Sequence, residues 1–175
     1  NAVCSELAVE VAINGRLTRQ HVGNSTNEKG PCHAGKPDGT LEMVGPVRKR
    51  GTKVTFHPDP EMFETTKFDA QQIARRLREL AYLNPTGTFT LIDERVKENG
   101  KSKKREYHFE GGLIDFVRYA VNGKMPVNET PIYLEGISGG IRVAVAMQYT
   151  DAYGENIISY VNNIPTSQGG THETG

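Results

Sequence analysis

The residues Gly51-Thr52-Lys53-Val54-Thr55-Phe56-His57-Pro58 alternate in character along the chain. At a period of two, Thr52, Val54 and Phe56 share one face of a strand, and Lys53, Thr55 and His57 share the other. Gly51 enters the strand without a Cβ, and Pro58 ends ladder pairing. One face thus carries a hydroxyl followed by two apolar groups. That suits a flat, apolar ligand that takes one hydrogen bond. An ordinary sheet strand with a tolerated Thr has the same pattern, and on local pattern alone that is the better reading.

A second stretch with chemical potential is the tail, Asn162 to Gly175. Gly169-Gly170 permits close backbone approach, while Gln168, Thr171, His172 and Glu173 supply donors and acceptors. It reads as a polar loop, built either for recognition or for capping its own backbone. Other candidates are weaker. Cys32-His33 with His21 offers zinc-type ligands without a zinc-site spacing. His172-Glu173 lacks the second His of a His-Glu-x-x-His protease helix. Asp59 and Glu61 pair as carboxylates no better than they form a solvated turn. No Gly-x-x-x-x-Gly-Lys-Ser/Thr loop occurs, and no Ser/His/Asp set follows from spacing.

The elements that must position these residues can be read in order. Leu7 to Ile13 alternates as a strand, Asn14-Gly15 is a hairpin turn, and Arg16 to Val22 returns. Asn24 to Gly39 is a polar loop, and Leu41 to Val44 a short strand before the Gly51 strand. Asp69 caps a helix whose stripe is Ile73, Leu77, Leu80 and Ala81 and which Asn84-Pro85 stops. Thr88 to Asp93 is a strand, Glu94 to Arg105 a charged, flexible hairpin tip, and Glu106 to Phe109 the return. After Gly111-Gly112 a second helix carries Leu113, Phe116, Val117 and Ala120 at i, i+3, i+4 and i+7, and Asn122-Gly123 ends it. Ile132 to Glu135 and Ile141 to Thr150 are strands, and Asn156 to Asn162 is expected to pair back. Hairpins with two helices predict an α+β fold.

Composition bounds the function classes. The chain has 175 residues, with Lys+Arg and Asp+Glu both at 21, so bulk charge steers toward neither nucleic acid nor membrane. No apolar run approaches the ~18 residues a membrane span needs. The two cysteines are far apart, and a reduced, cytoplasmic setting is the default reading. The chain opens at Asn1 rather than Met and closes just after the Gly-rich tail, which reads as two cuts through a longer protein.

Four segments carry a resemblance. They are Gly51 to Asp59, Arg76-Leu77-Arg78-Glu79-Leu80-Ala81-Tyr82-Leu83-Asn84, Phe109-Glu110-Gly111-Gly112-Leu113, and Asn162-Asn163-Ile164-Pro165-Thr166 through Gly169 to Gly175. Together with Leu7 to Val11 they resemble the B-subunit family of bacterial DNA gyrase, in the family's order and over essentially the whole chain. The resemblance implies an ATP-driven type IIA topoisomerase segment. Residues 1–110 would end a GHKL-type ATPase domain of helices on a mixed sheet. Residues 111–175 would begin a transducer domain of the ribosomal protein S5 domain 2-like kind.

The resemblance also implies roles. Gly51 and Thr52 match the family's last nucleotide motif, with the Thr hydroxyl joining a water and an upstream Asp in reading adenine and Val54 packing the base. Gly169, Gly170, Thr171 and His172 would form a coupling loop near the ATP-sensing lysine loop. The cofactor is ATP with Mg2+, whose magnesium ligands, general base and glycine-rich lid lie before Asn1. No catalytic residue is therefore expected within this chain. The implied partners are DNA, the A subunit in an A2B2 heterotetramer, and a second B-type protomer on ATP binding. Ile13 departs from the family, many members of which carry Arg there, so aminocoumarin-type contacts at that edge stay open. The rival readings are the B subunit of topoisomerase IV and a non-enzymatic α+β binding module.

Overall fold

A computed structural model describes residues 3–23, 37–98, 100–121 and 123–174. The chain forms two compact units, residues 1–68 and 69–175. Cys32 and His33 lie outside the described residues.

The first unit is one antiparallel sheet. Its strands are β1 (Cys4–Ile13), β2 (Arg16–Gly23), β3 (Pro37–Pro46) and β4 (Gly51–Pro58), in the order β3-β2-β1-β4. The β1–β2 turn is the expected Asn14-Gly15, at φ 51° and 75°. Both central residues take the left-handed region, which matches the right-handed twist of the flanking strands. β3 begins within the stretch expected to be loop, because β2 offers it a free edge from Arg16 to Val22.

Register sorts the side chains by face. Leu7, Val9 and Val11 of β1 stand opposite Phe56, Val54 and Thr52 of β4. On the other face Glu10 stands opposite Arg19 of β2 and Lys53 of β4. Arg19 hydrogen-bonds the Glu10 carboxylate, and Lys53 Nζ lies 3.5 Å from it. The Arg19 hydrogen bond holds the Glu10 carboxyl below its usual range against the opposing effect of burial. One face is thus apolar and the other cross-braced by charge, as period-two alternation requires. Beyond β4, Phe56 meets Phe68 edge to face at 5.9 Å. Val3, Phe56, Pro58 and Phe63 line a cavity of about 220 Å³ there.

The second unit is built on α1 (Ala70–Leu83), which packs on the hairpin of β5 (Phe89–Glu98) and β6 (Lys101–Tyr107). Asp69 caps α1, its Oδ1 accepting from Gln71 N at 2.7 Å and Gln72 N at 3.3 Å. Asn84 closes the other end, its backbone N and its Nδ2 both donating to Leu80 O, at 3.0 and 2.8 Å. Ala74, Ala81 and Tyr107 form the buried centre, with Leu77, Phe89, Leu91 and Phe109 around them. Of the expected stripe, Ala81 is buried and Leu77 packs on this centre. Ile73 and Leu80 are only half-buried, while the small Ala74 lets the hairpin approach.

The expected charged, flexible tip is mostly paired strand instead. β5 and β6 pair from Phe89↔Tyr107 to Glu98↔Lys101, with a bulge between Asp93 and Lys97. Within that bulge Arg95 wraps Asp93, Nε to Oδ1 at 2.9 Å and Nη2 to Oδ2 at 2.8 Å. The Arg95 hydrogen bond lowers the Asp93 carboxyl to about 2. A group depressed in the folded state stabilises it above the ordinary Asp value near 3.8 and loses that effect as pH falls through about 2. An NMR titration should therefore place the Asp93 midpoint at about 2, and Arg95→Ala should return it toward 3.8. An unchanged midpoint in the variant would refute the pairing.

α2 (Leu113–Ala120) follows Gly112, which is buried at φ 56° and ψ −125°. A Cβ there would sit 3.5 Å from the Tyr82 carbonyl, in a backbone region essentially reserved for Gly. Tyr82 of α1 stacks on Phe109 at 3.9 Å and on Phe116 of α2 at 5.0 Å. β7 (Ile132–Ser138) and β8 (Ile141–Met147) form a hairpin through Gly139-Gly140, at φ 57° and 80°. The expected return strand from Asn156 to Asn162 does not form. That Gly-Gly turn gives β8 its partner in β7. Only β9 (Tyr160–Val161) is extended in that segment, and it pairs with β10 (Ile164–Pro165) across Asn162-Asn163. The chain then enters a short helical turn, α3 (Thr171–Thr174).

Candidate functional site

Thr52 lies one residue into β4, beside Val11 of the neighbouring strand. Its hydroxyl has no hydrogen-bond partner among the described residues, unlike Thr18, whose Oγ1 donates to Val11 O at 3.3 Å. Val54 follows on the same face and is 55% exposed, with Val9 opposite it. The two form an open apolar wall with one unused hydroxyl at its end. A Cβ at Gly51 would meet nothing within 4 Å, so backbone at the strand's start is approachable from outside. Thr55 falls on the charged face, with Lys53 and Glu10.

Such a surface can accept a planar, partly polar group by its flat side and answer one polar edge. It cannot by itself carry acid–base chemistry. Neither Thr52 nor Val54 titrates near neutrality, and the carboxylate of Glu10 faces away. Among the described residues no group of three His, Cys, Asp or Glu could hold a metal ion.

The tail residues form a different arrangement from the expected loop. Gly169 alone takes the left-handed region, at φ 73°, while Gly170 does not. Gly169 N bonds back to Thr166 O at 2.9 Å. Thr171 and His172 begin α3, so the glycine pair is a helix entry and not the middle of a loop. The His172 ring Nε2 lies 3.1 Å from Thr166 Oγ1, which also meets Ser159 Oγ.

Sequence reading missed a further cluster. Arg76 of α1 donates to the carbonyl of Asn163, and its other nitrogen meets Glu79 Oε2 at 3.0 Å. Asn163 Nδ2 reaches Asn84 Oδ1 at 3.4 Å. The available signals were the four-residue spacing of positions 76, 80 and 84 and the Asn162-Asn163 pair, which favours a left-handed turn.

Comparison with known proteins follows the same outline. A sequence profile described as DNA gyrase B matches residues 112–175. The B subunit of DNA gyrase from Clostridium acetobutylicum is 41% identical over 176 residues, covering 100% of this chain and 25% of the relative. That of Halalkalibacterium halodurans is 40% identical with the same coverage, and the B subunit of DNA topoisomerase 4 from Streptococcus pneumoniae is 41% identical over 177 residues. Among solved structures, the B subunit of DNA gyrase from Myxococcus xanthus superposes with TM-score 0.80 at 25% identity, over 98% of this chain and 46% of that one. The 43K ATPase domain of Thermus thermophilus gyrase B, solved with an aminocoumarin, gives 0.74 at 32% identity, over 99% and 44%. In sequence and fold the chain is thus similar along its whole length to part of the B subunits of bacterial DNA gyrase and topoisomerase 4. The DNA gyrase B proteins among these are about 40% identical to it over the whole chain. The chain spans about a quarter of the length of the curated relatives it matches.

Proposed function

We propose that this chain supplies the rear wall of an ATP site and the start of its transducer in a DNA gyrase. Such an enzyme uses ATP to pass one duplex through another and introduce negative supercoils. The observation that carries the reading is the free Thr52 hydroxyl beside the exposed Val54 wall, in a chain about 40% identical throughout to gyrase B proteins. In this reading residues 1–110 end the GHKL-type ATPase domain, and residues 111–175 begin the S5 domain 2-like transducer. Thr52 answers the adenine edge, Val54 packs its face, and Gly51 keeps the backbone clear. The cofactor in this reading is ATP with Mg2+, whose magnesium ligands are expected outside this segment.

Gly169, Gly170, Thr171 and His172 then couple nucleotide state to the rest of the enzyme. The partners proposed are DNA, the gyrase A subunit in an A2B2 heterotetramer, and a second B-type protomer when ATP binds. The setting is the cytoplasm. Among the described residues no helix is long and apolar enough to cross a membrane.

In the complete subunit Thr52→Ala should weaken ATP binding about five- to a hundredfold, the cost of one buried hydrogen bond. Thr55→Ala, on the opposite face, should change it less than about twofold. Equal effects in nucleotide titrations would mean that the wrong face has been assigned. The 41% identity to the B subunit of a topoisomerase 4 supports a second reading, with decatenation as the main work. Supercoiling of a relaxed plasmid against decatenation of linked circles, each with the matching A subunit, separates the two.

A further inference from the structure

Helix α1 and the β9–β10 hairpin are joined through one short turn. Asn162 and Asn163 both take the left-handed region, at φ 49° and 66°. That conformation is unfavourable for a residue with a side chain, although Asn tolerates it better than most. Three residues on one side of α1 hold the turn there. Arg76 donates to the Asn163 carbonyl, and the Glu79 carboxylate steadies the guanidinium at 3.0 Å. Asn84 receives the Asn163 side chain at 3.4 Å. Tyr160, the first residue of β9, also faces Glu79 and lies 6.0 Å from the Phe116 ring of α2. Burial and the Glu79 carboxylate push its hydroxyl up to about 12, so it stays protonated.

From the turn the path to the tail is short. β10 runs from Ile164 to Pro165, and Thr166 N then donates to Ser159 O at 3.0 Å. Thr166 Oγ1 meets His172 at 3.1 Å. A planar guanidinium held by a carboxylate on one side and a carbonyl on the other has little freedom. A two-residue turn is likewise stiff. Movement of α1 is therefore transmitted to the base of the Gly169–His172 segment.

We infer that Arg76 is a positioning residue that ties helix α1 to the Asn162-Asn163 turn and so sets the placement of residues 169–172. Its role in coupling rests on the function proposed above, with α1 belonging to the ATPase part and the hairpin to the transducer. The role is to pass a displacement on.

The test compares wild type with Arg76→Met and Glu79→Gln in the complete subunit with its A partner. Met keeps the stem and helix propensity but has no donor. Hydrogen exchange at residues 163–172 should rise about tenfold in Arg76→Met, since a local opening loses the bonds that opposed it. Glu79→Gln should give a smaller rise. ATP KM and DNA-independent turnover should stay within about twofold, while supercoils introduced per ATP fall about five- to a hundredfold. Unchanged exchange would overturn the clamp. Full supercoiling per ATP, or loss of melting temperature, KM and turnover together, would overturn the coupling role. Should wild type show no ATP-dependent change in plasmid topology, the functional reading fails, and the exchange measurement still decides the clamp.

Discussion

Tyr82→Ala should destabilise the second unit by ~3–5 kcal/mol, the range for removing a buried aromatic side chain from a packed core. Tyr82 is only 5% exposed, and its ring lies nearly parallel to those of Phe109 and Phe116, at interplanar angles of 20° and 5°. These stacks hold α1, the chain leaving β6 and α2 against one another. Each aromatic pair adds ~0.5–1.5 kcal/mol beyond the area it buries. Domain stability is typically ~5–15 kcal/mol, so the substitution removes a large fraction of it. Tyr82→Phe keeps the rings and loses only the hydroxyl, and should cost less than ~1.5 kcal/mol. Urea unfolding of the three proteins side by side makes the comparison. A cost below ~1 kcal/mol for Tyr82→Ala would show that the stack is not what holds these elements together.

The contrast between what could and could not be read in advance follows the range of the forces involved. Asn14-Gly15, the Asp69 cap and the face shared by Thr52 and Val54 are local or period-two features, and the structure has each of them. Where long-range packing decides, the reading shifted. The buried side of α1 takes in Ala74 and Tyr82 beside the expected Ala81, with Tyr82 drawn in by the rings of Phe109 and Phe116. Lys101 to Arg105 reads as a solvated tip because it lacks apolar alternation. Backbone ladders do not require it, and cross-strand pairing carries the hairpin on. The segment from Asn156 had enough β-forming residues for a strand, but only Tyr160–Val161 pairs, with Ile164–Pro165. The bond from Arg76 to Asn163 joins residues 87 apart, so the signals in each segment do not say that the two meet.

Gly170→Val should leave the fold nearly intact while reducing ATP-dependent supercoiling about tenfold or more, a coupling loss within the usual range for linked sites. A Cβ at Gly170 would lie 2.6 Å from both Cε1 and Nδ1 of the His172 ring. The obstacle is a side chain and not backbone, so the ring can swing away at small cost. Gly170 is also outside the left-handed region, so Val meets no backbone penalty of the kind Gly169 would impose at φ 73°. The β7–β8 hairpin and the β9–β10 turn keep their own pairings, and stability should change by no more than ~1–2 kcal/mol. What cannot survive is the placement of the His172 ring 3.1 Å from Thr166 Oγ1. That contact joins α3 to the hairpin that Arg76 holds. Displacing it removes one tie between the Gly169–His172 segment and that hairpin and leaves the Gly169 N bond to Thr166 O in place. His172→Ala removes the same contact without a clash, so the double variant should be no worse than the more severe single one if both act through one path. Melting curves beside plasmid supercoiling with the A subunit read out both quantities. Normal supercoiling in Gly170→Val would remove the segment from the coupling path. A collapse in stability would assign it to the scaffold, and additive losses in the double variant would show that Gly170 acts on something other than His172.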